Sequence, residues 1–428
     1  MLVLSLLALV LCVEDAGTPS EAKWLHAAAE LSATSFPSGT PGGAQDGFFD
    51  VLPLAGVDFE HVSLELGAQL RLRVVDNPPS QRAGDLGGVL RGADWDELSD
   101  FGQLLRALRL GQPETLFWVL AGPARRKTLG LGHLLARYSN QDNPDYHPAA
   151  ATVGASYKAV RGELFVSDVL GARLFAGEAV VDFGRIFGST ASSADRFHLA
   201  VSGAHDAGRA GGLAPPVSLL HIDLDAVLYR GATTRIMAVV GAGARLPDAA
   251  ATAIGFGLVA GVSLDAMLPS GFSIGGRVEL RKQGPGFRHA FFGAGYELGR
   301  FAATGFSEPG LAAERLPDAL SFAADVRIAS GRAVSFDVAL EHFIWGRTDL
   351  DVLFSLEIID QRLTAGARFT GTGLGKLPRY AMTTELRLRL FTSLYALGSG
   401  GTVFVPQPDS TLVRGVFVSL GVGFDLER

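Results

Sequence analysis

The chain has 428 residues, 48% of them hydrophobic and 19% charged, with a formal net charge of -7. That balance offers no basic surface for nucleic acid, and without apolar runs of about 20 residues it is not a helical membrane protein. The single cysteine, Cys12, lies in an apolar N-terminal stretch, so a chain processed beyond it has no disulfide, thiolate metal site or cysteine nucleophile.

Residues 1–16 read as a signal peptide, with the apolar core in Leu2–Val13 and Ala16 as the best cleavage position. No Lys or Arg precedes that core. Residues 17–46, rich in small and polar side chains around Thr34 to Gln45, read as a linker. From residue 47 to 428 the chain turns into period-two segments. In His61 to Val75, the residues Val62, Leu64, Leu66, Leu70, Leu72 and Val74 share one face, and Glu65, Arg71 and Arg73 share the other. Alternation puts successive side chains on opposite faces. The length exceeds a globular strand of about 5 to 6 residues and suits a membrane-crossing strand of about 9 to 11.

Residues 76–113 interrupt this pattern as a loop and helix insertion. Trp95, Leu98, Phe101, Leu104, Leu105 and Leu108 recur at helical spacing, which predicts a helix over residues 94–110. Asp94 and Glu97 give it a capping-box-like start and Gly111 follows its end. Such a helix could fold inward as a plug through Trp95, Phe101 and Leu105. Farther along, Gly130 to Asn140 gathers His133, Ser139 and Asn140, residue types used in acyl transfer, although their spacing is that of a polar loop.

Alternation then returns repeatedly. Leu220, Ile222, Leu224 and Leu228 oppose His221, Asp223 and Asp225. The same reading puts Arg277, Glu279 and Arg281 on one polar face, followed by Asp337, Glu341, Glu357, Arg368, Glu385, Arg387 and Arg389 on later ones. His221, Asp223 and Asp225 stand at a spacing that could gather ligands for a divalent ion, but a charged wall paired to neighbouring Arg residues is the better account, so no metal or other cofactor is expected. The glycine pairs Gly241/Gly243 and Gly255/Gly257 are not phosphate loops, because no helix follows them; they read as small residues within strands. Aromatics near strand ends, Trp118, Phe291, Phe292, Trp345, Phe391 and Tyr395, fit an interfacial belt.

The fold class is therefore all-β: a transmembrane antiparallel β-barrel of about 16 strands, within about 14 to 18. Because lipid offers no hydrogen bonds, only a closed sheet can cross it. The last segment carries Val416, Val418, Leu420, Val422, Phe424 and Leu426 on one face. It resembles the C-terminal strand of Gram-negative outer-membrane β-barrel proteins, although Glu427-Arg428 follow where that group ends on an aromatic. The resemblance is porin-like in general pattern from about residue 47 onward. It implies a bacterial outer-membrane location amid lipid and lipopolysaccharide, and assembly machinery that reads the last strand. The polar faces listed above are then lumen-facing. The expected function is a channel for solutes or a secreted polymer. The alternatives are a non-conducting barrel that organises envelope partners and, last, an acyl hydrolase; no catalytic residue is assigned.

Overall fold

The computed structural model describes residues 24–37, 45–77, 89–187 apart from 114 and 145, 196–208, 216–247, 254–302, 317–358 apart from 332, 362–406 apart from 377, and 412–427. The expected signal peptide lies outside these residues. Among them, no helix is long and apolar enough to cross a membrane.

The chain forms one antiparallel sheet. β1 (Trp24–Pro37) and β2 (Gln45–Asp58) begin it, followed by β3 (Val62–Gly67), β4 (Leu70–Val75), β5 (Leu105–Leu110), β6 (Phe117–Gly122) and β7 (Ala150–Tyr157). β8 (Val160–Val166), β9 (Leu174–Asp182), β10 (Phe197–Asp206), β11 (Val217–Arg230), β12 (Thr234–Arg245), β13 (Gly255–Met267) and β14 (Phe272–Gln283) continue the wall. β15 (Ala319–Ser330), β16 (Val334–Phe343), β17 (Thr348–Ile358), β18 (Leu363–Leu374), β19 (Arg379–Arg389), β20 (Leu394–Pro406) and β21 (Leu412–Glu427) complete it. β21 pairs with β1 from His26↔Glu427 to Ser35↔Val418, which closes the sheet into a barrel.

Among the described residues the sheet contains 21 strands, but β3 and β4 both pair with β2 and share one crossing, so the wall is crossed 20 times. An antiparallel closure of first strand on last requires an even number of crossings. His61 to Val75 is thus one crossing broken at Ala68–Gln69. Beyond the break β5 no longer follows, and the free edge of β4 is met by the bond from Arg73 N to Val89 O and the bond from Arg91 N to Arg71 O.

The expected count of about 16 is corrected to 20, and the barrel begins at Trp24 rather than residue 47. The stretch read as linker contributes β1 and the start of β2. β1 carries the run Ala27-Ala28-Ala29, and β5 and β6 are only 6 residues each. Sparse or short alternation of this kind gives little periodic signal.

Large apolar side chains cover the outside. Leu220, Ile222, Leu224 and Leu228 on β11 are exposed while Leu219, His221, Asp223 and Asp225 are buried. On β21 Val416, Val418, Leu420, Val422, Phe424 and Leu426 are all exposed and Ser419 is buried. An apolar exterior around a polar, closed interior belongs in lipid, and this architecture is that of an outer-membrane β-barrel. Tight turns such as 158–159 between β7 and β8 lie at one end, with the start of β1 and the end of β21. The longer connections, from β4 to β5, β6 to β7 and β14 to β15, all leave and rejoin the wall at the other end. Exposed aromatics mark the short-turn end: Tyr157, Tyr229, Phe272 and Phe391. Of the belt expected from sequence, Phe391 is exposed and Trp345 half-buried, but Trp118, Phe291, Phe292 and Tyr395 point inward and are buried. Tyr395 donates to Glu30 Oε1 at 2.7 Å.

The helix expected over 94–110 does not form. Two 3-10 turns, Gly92–Asp94 and Leu98–Leu104, lead directly into β5. Their apolar side chains Leu98, Phe101 and Leu104 are exposed, and Asp94, Ser99, Asp100 and Gln103 are buried. The physical reason is the barrel's inverted polarity: the outside is apolar, so the stripe that would bury in a soluble protein turns outward here. Trp95 stacks edge-on to Phe101 at 5.6 Å, and Leu105 pairs with Leu66 in the wall. None of the three reaches inward as a plug. The capping box is present but shifted, with Glu97 N donating to Asp100 Oδ2 at 2.8 Å.

Candidate functional site: the occupied lumen

The interior is filled by two loops. The first, 123–149, joins β6 to β7 and folds back on itself as a hairpin. Lys127 and Tyr138 exchange both backbone bonds, at 2.7 and 2.8 Å. Its tip turns at Gly132, whose φ of +78° suits glycine. The second loop, 284–295, lies against it. Ala290 N donates to His133 O at 2.7 Å, Phe292 N to Leu134 O at 3.1 Å and Ala136 N to Phe292 O at 3.2 Å.

Together they build a hydrophobic core inside the barrel from Leu129, Leu134, Leu135, Tyr138, Phe287, Phe291, Phe292 and Tyr296, packed on inward-facing Phe165, Leu174, Val217 and Leu219 of the wall. Each fully buried Phe or Leu contributes about 1.5–3 kcal/mol. Inward wall positions are usually polar in barrels; here β8 to β11 supply an apolar patch for the loops to rest on.

Polar contacts fix the rest of the hairpin to the wall around it. Arg126 donates to Asp337 on β16 at 2.9 Å and lies 3.1 Å from Asp351 on β17. Arg137 pairs with Asp325 on β15, and Lys127 with Glu163 on β8. Arg368 of β18 donates to Asp142 at 3.0 Å. Arg288 of the second loop donates to Asp349 at 2.7 Å. Tyr138 donates to Glu297 at 2.5 Å. Burying a charge is costly unless it is paired, and these are paired.

Charges behave accordingly in the loops. Burial raises the Asp142 carboxyl to about 6, with Arg368 pulling it back. Burial and neighbouring Arg71 depress His147 to about 3. His133 is raised despite burial, because its Nδ1 lies 2.6 Å from Asp223 Oδ1 and its Nε2 2.9 Å from Glu279 Oε1. Two ionised carboxylates can only accept, so both ring nitrogens donate and the ring is cationic. His133 is therefore unable to serve Ser139 as a base, and Ser139 itself accepts the Gln141 N–H at 3.2 Å.

The residues expected to face the lumen occupy distinct places. Arg71 donates to Asp94 at 2.5 Å, and Arg73 lies 4.0 Å from Asp46. Glu65 meets His26 at 3.1 Å. His221, Asp223, Glu279, Arg281 and Glu341 form one buried network, in which Arg281 donates to Glu279 at 2.6 Å and to Glu341 at 2.8 Å. Asp225 pairs with His198 at 2.7 Å, and Arg277 with Asp325 at 3.0 Å. Asp337 and Arg368 hold the hairpin. Arg387 donates to Glu30 at 2.7 Å, Arg389 to Asp425 at 2.6 Å, and Glu385 is exposed. Residues 123–149 and 284–295 were not expected inside.

A polar cavity of ≈ 550 Å³ remains between the hairpin and the wall of β1 to β5, β20 and β21, lined by Thr34, Asp50, Glu65, Arg71, Arg106, His147, Ser399 and Ser419 among others. A second of ≈ 490 Å³ is lined by Glu30, Glu357, Glu385, Arg387 and Ser399. Ser399 borders both.

No family model matches the chain, and no curated protein matches it. Among solved structures it is similar to OccK9 (OpdG) of Pseudomonas aeruginosa at 11% identity and a TM-score of 0.39, covering 96% of this chain and 100% of that one. It is similar to OpdK of the same organism, solved with vanillate, at 10% identity and a TM-score of 0.38, with coverage of 96% and 100%. A BenF-like porin from Pseudomonas fluorescens Pf-5 gives 10% identity and a TM-score of 0.37 over 96% and 100%.

Proposed function

We propose that the protein is a constricted channel for small polar solutes across the outer membrane. The observation that carries this reading is the pair of polar cavities that share Ser399 as a lining residue, the first beside the hairpin and the second bordered by β1 and β17 to β20. Their walls offer both charge signs: Arg71, Arg106 and Arg387 against Asp50, Glu30, Glu357 and Glu385. A barrel of about 16 to 18 strands already leaves an aqueous channel, so one of 20 has room for both a plug and a path. Of the lumen-facing set read from sequence, Glu65, Arg71, Glu357, Glu385 and Arg387 line these cavities, and β21 is the segment that assembly machinery would recognise. A secreted polymer has no separate support.

Planar-bilayer recordings test the channel. The intact protein should give small unitary steps, and replacing 125–147 with a short Gly-Ser turn should give much larger ones. Silence from both, with the barrel folded, would sink the channel and favour an envelope anchor.

A further inference from the structure

Three histidines meet inside the barrel, each from a different segment: His133 from the hairpin, His289 from the second loop and His221 from β11. All three are fully buried, at 1%, 0% and 2% exposure. Their ring centroids form a near-regular triangle of 4.9 Å for His133–His221, 5.2 Å for His221–His289 and 5.7 Å for His133–His289. Both ring nitrogens of His289 and the Nε2 of His221 have no hydrogen-bond partner among the described residues. A buried polar atom left in this state costs about 1–3 kcal/mol. These three nitrogens sit on neighbouring rings from two chain segments and call for a ligand.

We propose that this cluster binds a divalent transition ion of the zinc class, which staples both inward loops to the wall. The donor chemistry fits. Imidazole nitrogens bind such ions at about 2.0–2.1 Å, which places the ring centres of tetrahedral neighbours about 5 Å apart. His221 is already oriented for it: its Nδ1 lies 3.1 Å from Asp223 Oδ2, leaving Nε2 as the ligand atom. A carboxylate behind a ligating histidine is the usual outer support of such a site. Asp223 can instead ligate directly, since ligand atoms from His133, His221 and Asp223 lie within 4.8 Å of one another. A tetrahedral ion needs about 3.3 Å between its ligand atoms, so the side chains close in modestly on binding. His133 completes the set by releasing Glu279 and one proton. Asp223 against His133 and His221, with Glu279 and Glu341 on Arg281, supply the negative charge a dication needs.

The wall makes room for the rings. A Cβ on Gly241 would come within 2.7 Å of His221 Cε1, and one on Gly257 within 2.9 Å of His289 Nε2. The glycines that resemble nothing functional in sequence are the floor beneath two imidazoles.

The site does not depend on the channel reading. Detergent-purified full-length protein, stripped with EDTA, is dialysed against zinc chloride and the bound metal counted. One zinc per folded chain is expected, with His221→Ala and His289→Ala each weakening binding at least about 10-fold and His205→Ala, an exposed histidine, leaving it unchanged. If an alanine variant fails to fold, X-ray absorption on the zinc-loaded wild type decides: a shell of two or three imidazoles supports the site. Absent stoichiometric zinc, binding that survives both substitutions, or an oxygen-only shell would overturn it.

Discussion

Asn143, at the end of the lumen hairpin, pairs with the backbone of Phe404 on both sides: its Nδ2 donates to Phe404 O at 3.0 Å, and its Oδ1 accepts from Phe404 N at 3.2 Å. The two residues lie 261 positions apart. The contact falls where β20 has lost its neighbour, since β19 pairs with β20 only as far as Gly401. The side-chain amide does what a strand would have done there.

Asn143→Ala leaves that backbone pair unsatisfied and costs about 1–3 kcal/mol. The hairpin should release from β20 while the barrel persists. Single-channel recordings should then show more frequent excursions to a larger conductance, with the heat-dependent gel shift retained. An unchanged record would separate Asn143 from gating.

The Asp142 carboxyl makes the docked hairpin respond to acid. Its folded pKa of about 6 stands above the ordinary 3.8, so the folded state takes the proton first as pH falls. The contribution to stability grows between pH 6 and pH 4, by about 2–3 kcal/mol, and is lost as pH rises back through 6. Asp142→Asn mimics the protonated form. Its thermal stability relative to wild type should be greatest at pH 7.5 and shrink by pH 4.5; a constant difference contradicts the assignment.

His147 works in the opposite sense. Held near 3 when docked, it stays neutral while an undocked ring protonates below about 6.5. Stability from this residue is present above that pH and falls as pH drops toward 3. His147→Gln should reduce the loss of stability on acidification, measured by melting in detergent.

Arg281 pairs with Glu279 and Glu341 together; without it Glu279 keeps His133 and Arg277, but buried Glu341 is left with only the neutral donors Gln283 and Ser321. Arg281→Leu should destabilise by about 3–5 kcal/mol. The temperature of the gel shift should fall well below that of wild type. Equal stability would show that those carboxylates find other partners or protons.

Leu224 lies mid-strand on the lipid face of β11, 44% exposed. Leu224→Arg should cost about 2–4 kcal/mol of folding into bilayers. Urea-dependent folding into lipid vesicles measures this, with Leu224→Val as the conservative control. A cost near zero would place that face against something other than lipid.

Where strands are long and two-faced, as in Leu220 to Leu228 and Val416 to Leu426, the linear sequence determined the wall and its lipid side, because alternation acts between nearest neighbours in the chain. Where strands are Ala-rich or short, as in β1, β5 and β6, alternation carries too little contrast, and pairing with a long neighbour decides. The helical spacing of Trp95 to Leu108 was real, but which way its apolar side turns depends on which side of the wall is wet. The lumen itself was decided only by tertiary structure. Asn143 and Phe404, or His133, His221 and His289, share no local pattern; they meet because closing the sheet brings distant strands around the same enclosed space, where every buried polar atom needs a partner from elsewhere in the chain.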